Sequence, residues 1–312
     1  MSAQRNRLDS DRWHFSHGPI DVIAEAHGDA AVVAVAHEAA WQRFTGVLDE
    51  LVRELRDLRQ PIDSVRPAHT LRGPIAQRMW SACAPFSARF ITPMAAVAGS
   101  VAQELIACYQ REGIARAWIN NGGDIALHLA SGEPDAHARI GLLADIVTFD
   151  LRDAGPLVTD GQFDITADMP VRGVATSGWR GRSFSLGIAD SVTVLAATAS
   201  EADAAATVIA NAVDVVDAGI QRMPANGCKD DSDLGDMLVT VDVGRLDPMQ
   251  VRRALDAGAA CAKALQAAGR IHAAVLVCQK QWRIVEPLCS DAMPIAQPVG
   301  HVTKSAVGSV FA

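Results

Sequence analysis

Apolar residues recur every three or four positions through 37–58. Trp41, Phe44, Leu48, Leu51, Leu55 and Leu58 fall on one side, and Glu50, Arg53, Glu54, Arg56 and Asp57 cover the other. That spacing predicts an amphipathic helix, stopped at Gln60-Pro61. Upstream, short apolar runs at 20–24 and 30–35 flank a His-Gly-Asp turn and read as a hairpin. Residues 1–12 are polar and read as a flexible arm. Pro74 opens a short helix through Ile75, Met79 and Ala82, and Pro93 a second to about residue 111, whose start (PMAAVAGS) is rich in small residues.

Further on the pattern turns strand-like. Residues 117–119 and 125–129 flank Asn120-Asn121-Gly122-Gly123-Asp124, a turn whose glycines supply positive φ. Short strands follow at 140–143 and 146–151, then a loop carrying Asp160, Asp164 and Asp168, read as solvated acids because their spacing fits no EF-hand. Residues 219–236 read as an exposed polar loop and 237–243 as a strand. Asp247-Pro248 caps a helix that runs to about residue 268 and closes at Gly269. A hairpin at 273–278 and 282–285 precedes an irregular tail, 286–312.

The densest chemistry lies in 174–214. A glycine-rich turn leads to a buried strand at 191–196, then to a helix with Ser200 as the expected N-cap and Asp203 completing a capping-box-like pair. Steps of four link Asp203, Thr207 and Asn211, so a carboxylate, a hydroxyl and an amide share one stripe of an otherwise apolar helix. Polar groups on a packed helix need partners. Capping is one account. The other is a divalent-cation or phosphate site, for which oxygen-only ligands suit Mg²⁺. The Thr176-Ser177-Gly178 turn and Ser183 offer hydroxyls and N–H groups to an anion.

Composition narrows the choices. The 312 residues are 49% hydrophobic and 21% charged, enough for a sizeable core. A net charge of −8 and a pI near 5.6 argue against nucleic acid as a partner. No apolar run is long enough for a membrane span, and the N-terminal sequence has no apolar segment of the signal-peptide kind. Six cysteines without CxxC spacing read as reduced thiols of a cytoplasmic protein. There is no GxSxG, HExxH, Walker A or GxGxxG motif, and the nine histidines are scattered. The simplest account is one compact α+β domain over 13–285.

Four segments, PMAAVAG (93–99), INNGGDIAL (119–127), VATSGWRGRSFSLGIADSVTVLAATA (174–199) and EADAAATVIANAV (201–213), together resemble the ApbE-like superfamily. The resemblance is closest to its shorter, functionally uncharacterised branch, a UPF-type family. It implies a mixed sheet packed with helices, T-fold-like. The flavin transferases of the superfamily use FAD and Mg²⁺ to move FMN onto a Thr or Ser of a target protein, releasing AMP. By resemblance, Asp203 and Thr207 hold the metal with a backbone carbonyl near Val97. Asn121, Gly122, Gly123 and Asp124 match the turn beside the cofactor; from the residues themselves, the Thr176-Ser177-Gly178 turn is expected to supply N–H donors, Asp190 to line the mouth and Asn211 to face the cofactor.

Two departures bear on activity. Where the transferases carry Lys-Gly, this chain has Ala98-Gly99, and their histidine position falls at Arg182. Arg182 and Ser183 are therefore the residues nearest the chemistry, but a guanidinium is no base near neutral pH. The expected function is a Mg²⁺-assisted pocket for FAD, FMN or another phosphate- or carboxylate-bearing ligand, flavin transfer included. Expected partners are a flavoprotein target and a second copy in a homodimer. Two alternatives stand beside it: a hydrolase or isomerase acting on a small anionic metabolite, and a non-catalytic flavin carrier or assembly factor.

Overall fold

The structure is a computed structural model that describes residues 2–9, 12–63, 70–133, 136–142, 161–228 and 232–288. The expected strand at 146–151, Asp160, Cys289 and the tail from 289 lie outside these residues.

The chain opens with β1 (Gln4–Arg7), β2 (Arg12–His17) and β3 (Ile20–Gly28), an antiparallel meander. The expected loose arm thus contains a strand. Its four side chains are exposed, so only backbone pairing reveals it. The expected 30–35 strand is instead the start of α1 (Ala30–Thr45): Asp29 Oδ1 accepts from the N–H groups of Ala31 and Val32, and the alanine-rich run follows as helix. The helix expected to reach residue 58 breaks at Gly46 and Glu54 into α1, α2 (Val47–Arg53) and α3 (Leu55–Leu58). α4 (Pro74–Cys83) follows, then a 3-10 turn over Pro93–Ala96 and α5 (Val97–Ile106).

Next come β4 (Ile114–Asn121) and β5 (Asp124–Leu129), joined by the glycine turn, and a separate ribbon of β6 (His137–Leu142) and β7 (Gly161–Thr166). Asp164 belongs to β7, where Arg139 donates to it at 2.8 Å. β8 (Gly173–Ser177) and β9 (Ser191–Ala196) lead into α6 (Ala199–Ala212). The expected 219–236 loop contains β10 (Ile220–Pro224) and α7 (Ala225–Cys228); β10 pairs with β11 (Leu238–Val243). α8 (Pro248–Ala267) is capped by Asp247, as its sequence predicts, and β12 (Ala273–Cys278) and β13 (Gln281–Val285) close the fold.

Among the described residues, nine strands form one sheet in the order β1-β2-β3-β4-β5-β8-β9-β12-β13. The α+β class holds. Every pairing in this sheet is antiparallel, where a mixed sheet was expected. The helices cover one face, over two cores: α1 to α5 enclose Phe15, Phe44, Met79 and Tyr109, and α6 with α8 encloses Val192, Val194, Ile209 and Leu276. The β6–β7 ribbon covers middle strands on the other face, burying Leu127, Phe163, Ile165 and Leu195.

The register gathers four connections at one end of the sheet. Val22 pairs with Asn121, Asn121 with Asp124, Ser177 with Val192, and Val277 with Ser191. The 17–20 turn, the 121–124 turn, the loop after Ser177 and the 278–281 turn therefore share that end. α5 starts there, and α6 runs back toward it after β9 has run away.

Candidate functional site

α6 begins two residues earlier than expected. Thr198 is the N-cap, accepting from Glu201 N–H, while Ser200 Oγ donates to Gln103 Oε1 at 2.7 Å. This register places Asp203 in the second turn, too deep to cap its own helix. Its Oδ2 accepts instead from Gly99 N–H at 2.9 Å, so Asp203 caps α5 from outside. The approach depends on Gly99. A Cβ there would lie 2.3 Å from Ala199 O and 2.9 Å from Asp203 Cβ.

The glycine turn holds the second acid. Gly122 and Gly123 have φ of 66° and 109°, a region glycine enters freely. Directly paired strand residues share a face, so Asn121 and Asp124 both point toward the helices. Asn121 Nδ2 donates to Ala98 O at 3.1 Å, and Asp124 Oδ1 accepts from Thr176 N–H at 3.2 Å. Asp124 is buried and Asp203 half-buried. Burial pushes the Asp124 carboxyl well above its ordinary range, and the Asp203 charge raises it further against the Thr176 N–H. Burial also raises Asp203, opposed by the N–H groups of Gly99 and Ala98. Its residual surface does not offset that burial, because the carboxyl is enclosed by the start of α5. Among the described residues, neither acid has an ion-pair partner.

The other expected site residues divide into two groups. Thr207 lies one turn beyond Asp203 toward the mouth, and Val97 opens α5 beside Ala98. Arg182 reaches the glycine turn: its Nη1 lies 3.5 Å from where a Cβ on Gly122 would sit, and its Nη2 donates to Pro19 O at 3.3 Å. Ser183 follows it, exposed. By contrast, Asn211 Oδ1 accepts from Leu186 N–H at 2.9 Å and Ser185 Oγ at 3.2 Å, fastening the loop. Asp190 ties Trp179 and Gln279 together at 3.2 Å and 2.5 Å, and Gly178 packs on its backbone. The polar stripe on α6 therefore splits. Asp203 bonds to the start of α5, and Asn211 fastens the loop at Ser185 and Leu186.

Some expected anion donors are engaged. Gly123 N–H donates to Asn120 Oδ1 at 2.8 Å, Thr176 N–H goes to Asp124, and the Thr176 and Thr193 hydroxyls share a bond of 2.9 Å. Ser177 lies in the β8–β9 ladder opposite Val192. Beyond Gly123 nothing stands within 4 Å of a built Cβ, so the turn faces open space. A narrow cavity of about 20 Å³ lined by Ser81 and Glu201, and a cleft of about 760 Å³ at the opposite strand ends around Asp29 and His128, do not touch the acid pair.

Reasoning along the sequence missed the pairing of Asp124 with Asp203, and the part of Pro19. The Asn-x-x-Asp spacing across a two-glycine turn signals two side chains on one face; nothing local signals Pro19.

A Mg²⁺ ion fits this donor set. The two enclosed carboxylates, like a threonine hydroxyl or a backbone carbonyl, are hard oxygen donors of the kind Mg²⁺ takes. Cys83 is also near, but burial and then the Asp203 charge raise its thiol well above the ordinary range, so it is no thiolate ligand at neutral pH. Among the described residues no group of three His, Cys, Asp or Glu side chains is placed to hold a metal, so a cation here needs neutral oxygens too.

An antiparallel sheet with helices on one face, carrying an acid pair and a glycine turn at its strand ends, defines an α+β protein with an oxygen-donor site. A family model described as AbpE bacteria matches residues 4–284. The chain belongs to this family, within the ApbE-like superfamily. It is 39% identical over 188 residues to a UPF0280 protein of Methanosphaerula palustris, covering 57% of this chain and 72% of that one. It is 38% identical over 152 residues to a UPF0280 protein of Methanothermobacter thermautotrophicus, covering 48% of this chain and 53% of that one. Against a third, from Methanospirillum hungatei, it is 37% identical over 128 residues, covering 41% and 47%. The chain thus spans about half the length of the last two. A solved structure, the apo form of the flavinyl transferase ApbE from Pseudomonas stutzeri, aligns over 91% of this chain and 95% of its own with 11% identity and a TM-score of 0.43, an overlap too loose to carry an argument.

Proposed function

We propose that this chain binds a phosphate-bearing ligand of the flavin type, FAD or FMN, with Mg²⁺ held by Asp203, Thr207 and a carbonyl at the start of α5. Asp124 faces the same ion. The observation that carries this reading is the pair of enclosed carboxylates from α6 and β5 with no cationic partner among the described residues. Such a pair is costly without a cation, because each acid must be protonated or repel the other. Bound Mg²⁺ supplies positive charge to a phosphoryl group.

The chain's own residues do the rest. Asn121 and Gly99 fix the start of α5 against both acids, and the turn, open at Gly123, admits the ligand. Membership of the family supports flavin transfer as the activity. Arg182, a permanent cation, supports a second reading in which the protein holds a flavin without transferring it. A flavoprotein target, a homodimer, a cytoplasmic setting and a domain ending near residue 285 complete the proposal. No helix of the described residues is long and apolar enough to cross a membrane.

Thermal melting of the full chain with and without Mg²⁺ tests the metal site. Wild type is expected to melt higher with Mg²⁺, and Asp203→Asn to lose that response. An undiminished response in Asp203→Asn refutes the assignment. AMP release from FAD then supports transfer, and a yellow protein without AMP release supports carriage.

A further inference from the structure

We infer that the cleft at the strand ends opposite the acid pair is a second ligand site, which takes a free α-amino acid by its carboxylate and ammonium groups. The cleft encloses about 760 Å³, within the range of small-molecule sites, and Arg111, Glu112, His128 and Glu133 are among the residues that line it. Much of the remaining lining is strand-end backbone with little side chain. Gly28 closes β3 against Gly113 O, which would lie 2.1 Å from a Cβ built there, and Asp29 N–H donates to the same oxygen at 2.7 Å. Ala130 N–H donates to Ala115 O at 2.9 Å. These bonds tie the ends of β3, β4 and β5 together without filling the space beside them. His128 and Asp124 share a face of β5 four residues apart, so about 13 Å of strand separates the cleft from the acid pair.

Two of the lining side chains set the chemistry. His128 Nε2 lies 3.1 Å from Ile114 O, and a carbonyl only accepts, so the ring proton sits on Nε2 and Nδ1 carries the lone pair. Burial holds this imidazole below its ordinary range, opposed by the Ile114 carbonyl and reinforced by Arg172, so it is neutral near pH 7. Nδ1 makes no bond among the described residues, nor is it sealed in the protein. Arg111 is half-buried and has no ion pair among the described residues. Arg172 is already engaged, donating to the carbonyls of Ala167, Met169 and Val171. The Arg111 fork thus remains for a carboxylate. Asp29, Glu112 and Glu133 also line the cleft and outnumber that cation. A purely anionic ligand therefore meets charge of its own sign, and a purely cationic one leaves Arg111 unmatched. A zwitterion suits both, with its carboxylate on Arg111 and an ammonium N–H donated to His128 Nδ1.

Ligand-observed NMR of the full chain with each common α-amino acid in turn finds the one that the cleft prefers. Isothermal titration then compares that amino acid with its deaminated and decarboxylated counterparts. At least one amino acid is expected to bind, and each counterpart to bind roughly tenfold or more weakly, the loss expected for one charge-assisted hydrogen bond. Arg111→Gln is expected to weaken the amino acid by roughly ten- to hundredfold, and Arg111→Lys, which keeps the charge without the fork, to fall between. His128→Phe is expected to abolish the preference for the amino acid over its deaminated form, a ratio that a merely structural role would not move. A wild type that binds no amino acid overturns the inference. So does a counterpart that binds as tightly, or an unchanged affinity in Arg111→Gln. The Mg²⁺-induced rise in melting temperature is expected to persist in Arg111→Gln, because the acid pair lies at the other end of β5. Amino-acid binding by a wild type that shows no such rise upholds the cleft and removes the metal reading.

Discussion

Asp124 and Asp203 are the residues whose surroundings depart furthest from what a carboxylate prefers. Each is enclosed, each has backbone N–H donors, and among the described residues neither has a cation beside it. The N–H groups stabilise the charged forms, but burial outweighs them and each acid disfavours the ionised state of the other. Replacing Asp124 by Asn removes the repulsion while keeping an oxygen for Thr176 N–H. Without metal, Asp124→Asn is expected to melt no lower than wild type at pH 8, and to lose most of the Mg²⁺-induced rise. A variant that melts lower without metal yet keeps the full rise would show that Asp124 serves only the fold. That Asp203 bears oxygen on a helical stripe was legible in the sequence. Its partner was not, because the pairing depends on a hairpin and a helix that meet only when folded.

At the scale of elements, the crossing of α5 and α6 controls the site. The two helices meet where Gly99 has no side chain, and the contact joins residues 104 apart in the chain. The small-residue run at the start of α5 is a place of close approach. What approaches is α6, bringing Asp203 with it. Gly99→Ala must push Ala199 O or the Asp203 side chain aside, and overpacking of this kind costs about 1–3 kcal/mol. Denaturant titration is expected to show that loss, with a weakened Mg²⁺ response. An unchanged midpoint would mean that the crossing has slack. The sequence misplaced the cap of α6 by two residues, since Ser200 and Thr198 are both good caps. The choice falls to Thr198 because Ser200 bonds across to Gln103 on α5.

For the molecule as a whole, the acid pair links stability to pH. Burial raises Asp203 from an ordinary 3.8 to about 7, and Asp124 rises as well. A carboxyl whose folded pKa lies above its unfolded value contributes stability that is full below the unfolded value and is lost as pH climbs through the folded one. Relative to Asp124→Asn, metal-free wild type is therefore expected to lose melting temperature between about pH 4 and pH 8, using the ordinary aspartate value as the lower bound. Mg²⁺ binds the ionised pair, so its stabilisation is expected to grow over the same interval. Parallel melting curves for the two proteins across that range would remove the acid pair as the cause.

The same scale separates what the sequence determined from what folding decided. Residues a few positions apart fixed the Asn-Asn-Gly-Gly-Asp turn, the stripe from Asp203 to Thr207 and the Asp247-Pro248 start of α8, because turn geometry and helical period act over that distance. The four quoted segments likewise carried the family. The strand β1 and the helical start at Ala30 were misread, since backbone pairing and a single aspartate cap outweighed local polarity and apolar spacing. The meeting of Asp124 with Asp203, the engagement of Asn211 by the 185–187 loop and the reach of Arg182 to Pro19 were decided only by the antiparallel register and the α5–α6 crossing. Those contacts join residues far apart in the chain, and no local preference encodes such a distance.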